Sequence, residues 1–217
     1  RRLLVVDVGG GTTDLTLIEV TLDDGHGQPQ LARTGVGDHL VLGGDNMDLA
    51  LARWIDPRLS GSAPGHRLSA IQLAQLTQAC RSAKERLLAP GGPEQTTVTL
   101  QGSGSRLIGG ARTATLTRAD VDQLLVEGFF PRVAAGAAPL RARGALVEFG
   151  LPYASDAAVT RHIAAFLQRQ GGALPDTVLL NGGVFHAAAL RTRLLDTLRS
   201  WQGEAAAPIR LLDAPQL

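Results

Sequence analysis

The sequence predicts an α/β protein in which a smaller α+β segment, residues 44–125, is inserted between two outer parts, residues 1–43 and 126–217. The chain begins with a β-meander, continues through mixed helices and one hairpin, and ends with elements in strand–helix–strand order. Because helices cover the faces of a sheet when strands and helices alternate, the outer parts are expected to form one layered domain around the insert.

The first strands are indicated by short apolar runs between turn residues. Residues 3–8 are almost continuously apolar, which is typical of a buried strand. Residues 15–22 indicate a second strand that is irregular near Ile18. DDGHG at 23–27 predicts a turn, and residues 29–36 predict a third strand. The chain is therefore expected to start as a meander.

The insert is predicted to open with two helices. GGDNMDLALARWI at 43–55 has helical spacing, with Asp45 as its expected cap. PRLSGSAPG at 57–65 predicts a loop. Ser69 and Gln72 then form a capping-box pair before a helix of roughly five turns. The apolar face of that helix is expected to comprise Leu73, Leu76, Cys80, Ala83 and Leu87.

A hairpin and a capped helix are predicted to complete the insert. Residues 96–100 predict a strand, QGSGS at 101–105 a turn, and residues 106–115 a second strand. Thr117 and Asp120 form another capping-box pair. The inward residues of the helix that follows are expected to be Val121, Leu124 and Leu125.

The last part of the chain alternates helix and strand. Residues 131–150 are rich in Ala, Arg and Gly and predict no element. Ser155 is expected to cap a helix, TVLLNGG at 177–183 predicts a buried strand, and residues 209–212 predict a last strand. The two helices of this part carry the apolar sets Val159, Ile163, Phe166 and Leu167, and Leu190, Leu194, Leu195 and Leu198.

Composition restricts the class of protein. The chain has 217 residues, a net charge of +1 and one cysteine. A near-neutral balance predicts neither nucleic acid nor a membrane as partner, and one cysteine excludes a disulfide framework. No apolar run reaches the length of a membrane span. A cytoplasmic protein is expected, and a start inside a strand suggests that the chain was cut from a longer one.

The motif VVDVGGGTTD at 5–14 indicates a phosphate site. Its glycines are contiguous and a strand follows, so it fits neither the dinucleotide fingerprint nor the P-loop. Backbone N–H groups of Gly9, Gly10 and Gly11 at a hairpin tip could converge on an anion, with hydroxyl donors nearby. Asp7 suits a hydrated Mg²⁺, and Asp14 would stabilise the turn or complete that shell. The alternative is an ordinary glycine hairpin.

Two further motifs are ambiguous when each is considered alone. The paired glycines of LLNGG allow a close ligand approach or simply a strand-to-helix turn. Lys84 stands in CRSAKERLL beside the i,i+4 pair Arg81 and Glu85, which is also typical of a solvated helix face. The histidines show no metal-ligand spacing, and serine and cysteine lack nucleophile contexts.

Taken in order, these segments resemble the nucleotide-binding domain of the 70-kDa heat-shock chaperones of the DnaK type, within the actin-like ATPase superfamily. VVDVGGGTTDLTL is similar to D-L-G-G-G-T-x-D, and GDHLVLGGDNMDLALARW to G-D-x-x-L-G-G-E-D-F-D. ACRSAKERLL resembles A-C-E-x-A-K-R-x-L-S, and LTRADVDQLL resembles I-T-R-x-x-F-E-x-L. TVLLNGGVFHAAALRTRL is similar to V-L-V-G-G-S-T-R-I-P-x-V.

The resemblance implies lobe II of an actin-like (ribonuclease H-like) ATPase domain, with subdomain IIA at 1–43 and 126–217 and subdomain IIB at 44–125. It implies ATP or ADP and Mg²⁺ as cofactors. Partners would be lobe I of the same protein, to which nothing here corresponds, and client polypeptides or co-chaperones. Half a cleft is expected to bind ATP weakly and to be inactive alone.

The resemblance also implies roles for individual residues. Asp7 would bind Mg²⁺ through water and order the attacking water. The β- and γ-phosphates would be held by Gly9, Gly10, Gly11, Thr12 and Thr13, with Thr12 also assigned to catalysis. The adenosine side would comprise Lys84, Gly182, Gly183, Val184 and His186.

Departures from the family pattern leave alternatives open. Val184, Phe185 and His186 stand where the family has S-T-R, so Phe185 or His186 would stack on the base, or base binding would be weak. Arg81 and Glu85 reverse the charges of the family's helix. A non-catalytic actin-like interaction or regulatory module is the main alternative function, and a sugar- or acetate-kinase relative is the third.

Overall fold

The computed structural model describes residues 1–22, 28–59, 68–102, 110–140, 156–203 and 207–212. The predicted turn at 23–27 and the predicted cap Ser155 lie outside the described residues. So do most of the loop at 57–65 and of the turn at 101–105. The described chain forms two compact units, Arg1–Gly44 with Gly128–Leu217, and Asp45–Glu127.

The first unit contains a five-stranded sheet. Its elements are β1 (Arg2–Val8), β2 (Thr13–Leu22), β3 (Pro29–Val36), α5 (Val159–Arg169), β6 (Thr177–Asn181), a 3₁₀ turn (Gly183–His186), α6 (Ala188–Ser200) and β7 (Arg210–Leu212). The strand order is β3-β2-β1-β6-β7. β1 pairs antiparallel with β2 and parallel with β6, because a tight hairpin joins the first pair while a long connection containing α5 leads to β6.

The register of the sheet places the buried apolar side chains of β1 on one face and Asp7 on the other. Leu4, Val6 and Val8 are fully buried, and Val6 pairs with Leu15 on β2 and Leu180 on β6. Because side chains alternate between the two faces of a strand, Asp7 lies on the face opposite Val6 and Val8. The predicted irregularity near Ile18 is confirmed by a register shift between Leu17 and Ile18.

The second unit contains two helices, a hairpin and a short capped helix. Its elements are α1 (Gly44–Ile55, which begins at the unit boundary), a 3₁₀ turn (Asp56–Arg58), α2 (Ala70–Leu88), β4 (Gln95–Leu100), β5 (Arg112–Thr117), α3 (Arg118–Val121), a π-helical turn (Asp122–Val126) and α4 (Glu127–Phe129, which crosses the other boundary). Both predicted capping boxes are confirmed: Ser69 with Gln72, and Thr117 with Asp120.

Four local predictions in this region are wrong in detail. Asp45 is not the cap of α1, because the helix already begins at Gly44. β5 ends at Thr117 rather than at 115, because the strand continues to the residue that caps α3. Leu124 is only half-buried while Val126 is buried, because the π-helical turn adds about one residue per turn and shifts the inward face. Leu73 of α2 is likewise only half-buried.

The segment after α4 has no helix or strand over 131–140 but is held by a side chain of α5 and by Trp201, the residue that follows α6. The Thr160 hydroxyl donates to the Pro131 carbonyl at 2.8 Å, and the Trp201 indole N–H donates to the Val133 carbonyl at 2.7 Å. These bonds replace the backbone partners that a helix or strand would supply.

Asp156 organises the start of α5. Its carboxylate accepts from the N–H of Leu140 at 2.7 Å and of Ala158 at 2.9 Å, and from the Arg161 guanidinium at 2.6 and 3.0 Å. Burial pushes the pKa of Asp156 up, but the Arg161 and backbone hydrogen bonds outweigh burial and lower the pKa below its ordinary value. The carboxylate is therefore held in its ionised form.

This arrangement predicts an acid-sensitive contribution to stability. The lowered pKa means that Asp156 stabilises the fold fully above its unfolded pKa, 3.8, and that this contribution is lost as pH falls through the lower folded value. Asp156→Asn is expected to lower the free energy of unfolding at pH 7 by about 2 kcal/mol and to flatten its dependence on acid pH. Urea unfolding from pH 7 to pH 2 measures both effects.

Asp38→Asn is the matched control, since Asp38 pairs with Arg169 at 3.0 Å on an exposed surface. It is expected to change the free energy of unfolding by less than about 1 kcal/mol. Equal losses in the two variants would contradict the proposed importance of Asp156.

Candidate functional site

The three glycines form the tip of the β1–β2 hairpin. Val8 and Thr13 are the last paired residues, and the Gly9 N–H donates to the Thr12 carbonyl at 2.9 Å. Gly10 and Gly11 are exposed, and a Cβ built at Gly11 would meet no atom within 4 Å. The tip therefore presents bare backbone, whose N–H groups are able to receive an anion.

A second pair of glycines lies directly behind this loop. The Gly44 N–H donates to the Gly9 carbonyl at 3.0 Å. A Cβ at Gly43 would stand 2.5 Å from the Gly10 carbonyl oxygen and 2.6 Å from that of Gly9. Only glycine allows this approach, so GG at 43–44 supports the shape of the loop.

The two threonines of the loop have different surroundings. Thr13 is fully buried, and its hydroxyl donates to the Leu42 carbonyl at 2.7 Å. Its backbone also pairs with Leu40 in both directions. Thr12 is half-buried, and its hydroxyl donates to Asp14 Oδ2 at 3.4 Å. Thr13 therefore ties the loop to residues 40–42, whereas the Thr12 hydroxyl stays at the loop surface.

Asp7 lies in the middle of a polar row across three strands. In the register of the sheet it pairs with Asp14 on β2 and with Asn181 on β6. The Asn181 side-chain amide donates to Asp7 Oδ2 at 2.8 Å, and Asp14 Oδ1 lies 2.9 Å from His39 Nδ1. Sequence reasoning missed Asn181 and His39; the signal for Asn181 is a polar residue at the end of an apolar strand, beside paired glycines.

This row fits a hydrated cation better than a fully protein-coordinated one. Carboxylate and amide oxygens are the ligands that Mg²⁺ prefers, and like charges directly opposite on antiparallel strands are destabilising without a counter-ion. Within the described ranges, no group of three or more His, Cys, Asp or Glu side chains could hold a metal ion. A Mg²⁺ ion near Asp7 would therefore depend on water and phosphate oxygens for most of its ligands.

Gly182 follows β6 and lies directly against the end of β1. Its φ is +91°, and a Cβ there would lie 2.2 Å from the Val8 carbonyl oxygen and 2.8 Å from Asp7 Oδ1. Gly183, by contrast, is exposed and a Cβ there would meet no atom within 4 Å. The two glycines therefore have different roles. Gly182 allows β6 to approach β1 closely, and Gly183 leaves the surface beside it open.

The residues after the glycines are divided between core and surface. Phe185 is 3% exposed and packs edge-on against Phe130, with ring centroids 6.1 Å apart. Val184 is also buried, with a methyl 3.5 Å from the position of a Gly44 Cβ, while His186 is exposed. Phe185 is thus occupied in the core, and His186 is the ring at the surface of this turn.

In the second unit, Lys84 pairs with an acid that sequence reasoning did not single out. Lys84 Nζ lies 2.6 Å from Asp48 Oδ1, with side chains 13% and 3% exposed. Burial raises the pKa of Asp48, although the hydrogen bond and charge of Lys84 act against that rise. The signal for Asp48 is an acid on the apolar face of α1, between the buried Met47 and Leu51.

The neighbours of Lys84 are of two kinds. Arg81 and Glu85 are exposed and 3.3 Å apart, so they form the solvated helix face expected from their spacing. Cys80 is fully buried, and burial together with the Asp48 charge raises the pKa of its thiol to about 12. A thiol with that pKa is unreactive at neutral pH, which agrees with the absence of a nucleophile motif.

Comparisons with known proteins identify a family for this chain. A family model described as Hsp70 protein matches residues 1–139. A chaperone protein dnaK from Thalassiosira pseudonana is 37% identical over 101 residues, which are 46% of this chain and 15% of that relative. The match thus covers a small part of the relative's length, and the paired glycines 182–183 lie outside the matched family region. Among the described residues, no helix is both long and apolar enough to cross a membrane.

Proposed function

The chain belongs to the Hsp70 family, and from this premise we propose that it forms lobe II of the ATP-binding domain of a DnaK-like chaperone. The unit Arg1–Gly44 with Gly128–Leu217 would be subdomain IIA of the actin-like fold, and Asp45–Glu127 would be subdomain IIB. The observation that carries the proposal is the bare glycine loop at a hairpin tip with Asp7 at the end of its first strand.

The phosphate side of the proposal assigns roles by geometry. Backbone N–H groups of the exposed Gly10 and Gly11, with the Thr12 hydroxyl, would hold the β- and γ-phosphates. Gly9 and the buried Thr13 would fix the loop, since the Gly9 carbonyl is held by Gly44 and the Thr13 hydroxyl by Leu42. Mg²⁺, when bound, would neutralise phosphate charge.

Asp7 would act through water. Its carboxylate stands in a row of oxygen donors and would orient water on Mg²⁺ and the water that attacks the γ-phosphate. Phosphoryl transfer is mostly a matter of positioning and charge stabilisation, so a carboxylate held in one orientation contributes directly.

The segment proposed to bind adenosine is less similar to the family pattern than the phosphate loop is. Gly182, Gly183 and the buried Val184 would form the backbone surface that supports the nucleoside, with His186 as the exposed ring beside it. Lys84 would contact ribose or adenine, its ammonium held by Asp48. We propose ATP and ADP as the nucleotides, a cytoplasmic location, and clients and co-chaperones as partners of the longer protein.

A non-catalytic actin-like interaction or regulatory module is the second candidate. It is favoured by the rewritten segment after the paired glycines, where Phe185 fills the core and none of the family's S-T-R side chains is present. The two candidates differ in whether the full-length protein hydrolyses ATP.

Asp7→Asn in the full-length protein is expected to reduce ATP turnover by about ten- to a hundredfold, because a group acting through metal-bound water loses its charge. The substitution keeps size and an acceptor for Asn181, so the unfolding midpoint should be unchanged. Phosphate release under saturating Mg·ATP measures the effect.

Thr12→Val and Thr21→Val provide a matched pair for the same assay. Thr12 lies on the loop, whereas Thr21 lies on β2, opposite Gln30 of β3. Turnover should fall in the first variant only. Full turnover in Asp7→Asn would contradict the assigned role, and a wild-type protein without turnover would favour the non-catalytic module.

A further inference from the structure

Asn181 is a polar residue at the end of the otherwise largely apolar strand β6. It ends β6, directly in register with Asp7 of β1. Asparagine is depleted in strands, and here the side chain is exposed, so core packing does not explain it.

The hydrogen bond between the two side chains has one chemically consistent direction. An ionised carboxylate only accepts, so the Asn181 amide nitrogen must be the donor to Asp7 Oδ2, at 2.8 Å. A bond to an ionised acceptor is stronger than one between neutral groups. It uses one acceptor position of the carboxylate and leaves the others for water.

The other carboxylate oxygen of Asp7, Oδ1, lies beside Gly182. A Cβ at Gly182 would lie 2.8 Å from Asp7 Oδ1, so that oxygen lies close against the backbone that follows Asn181. Residues 181 and 182 together therefore define the orientation of the Asp7 carboxylate from the β6 side.

We propose that Asn181 is a positioning residue for Asp7: its amide holds the carboxylate in the orientation that receives a Mg²⁺-bound water. The inference rests on the proposed function, since it assigns to Asp7 the role given above. Groups that orient the ligands of a metal shell change metal affinity by about ten- to a hundredfold when removed.

The test is the affinity of the full-length protein for ADP, measured by calorimetry in excess MgCl₂ and again in EDTA. Asn181→Val removes the donor and leaves a residue that suits a strand. We expect ADP affinity in MgCl₂ to fall by about ten- to a hundredfold, with affinity in EDTA and the unfolding midpoint unchanged. Thr97→Val, an exposed polar-to-valine change on β4, is the control and should match the wild type.

Three results would overturn the inference in distinguishable ways. Wild-type affinity of Asn181→Val in both conditions would exclude the positioning role alone. An equal loss in MgCl₂ and EDTA would show a general structural role instead. A wild-type protein whose ADP binding does not depend on Mg²⁺ would remove the proposed role of Asp7 and the inference together.

Discussion

Lys84→Met is expected to lower the free energy of unfolding by about 3–5 kcal/mol at pH 7, because it leaves the Asp48 carboxylate buried without its cation. The two side chains are 13% and 3% exposed, with Lys84 Nζ and Asp48 Oδ1 2.6 Å apart, so solvent cannot replace the lost partner. Urea unfolding followed by circular dichroism measures the loss.

The loss should depend on pH in a defined direction. Since the pKa of Asp48 is raised above 3.8, its protonated form stabilises the fold fully below 3.8, and that contribution is lost as pH rises through the folded pKa. Lys84 opposes the rise, so removing Lys84 raises this pKa further. The variant should therefore recover part of its stability relative to the wild type as the pH falls from 7 towards 3.8.

Two further variants test the explanation. Asp48→Leu with Lys84→Met removes both charges, and an apolar replacement of a buried pair is often neutral or stabilising, so the double variant should recover most of the loss. Arg81→Met, one turn earlier on α2, removes an exposed cation and should cost less than about 1 kcal/mol. A Lys84→Met variant as stable as Arg81→Met would contradict the buried-pair explanation.

Gly182→Ala is expected to lower the free energy of unfolding by about 3 kcal/mol or more. Two effects add: the φ of +91° is strained for any other residue, and the new Cβ would stand 2.2 Å from the Val8 carbonyl oxygen. Strands β1 and β6 would have to separate beside Asp7, so nucleotide affinity of the full-length protein should fall as well.

Gly183→Ala is the matched control at the next position. Its backbone is helical, its surroundings are open, and alanine suits a helical turn better than glycine. Its free energy of unfolding should therefore stay within about 1 kcal/mol of the wild type. Similar losses in both variants would show that the close approach at Gly182 is not the cause.

Local features of the fold were predictable from the sequence because they depend on neighbours along the chain. The capping boxes at Ser69 and Thr117, the apolar strands and the irregularity near Ile18 all follow from short patterns, and all are present. The cap assigned to Asp45 was wrong because α1 begins at Gly44, which places Asp45 inside the first turn. The spacing of apolar residues did not predict the π-helical turn after Val121.

The sequence by itself determined the family, through the order of its motifs, and the glycine hairpin with Asp7 at its base. Only the tertiary structure decided how those residues are supported. Asn181 meets Asp7 across 174 positions of chain, and Thr13 meets Leu42 across 29. Such contacts depend on strand register and on burial, which place residues distant in sequence side by side. For the same reason, Phe185 proved to be a core residue and Asp48 the partner of Lys84.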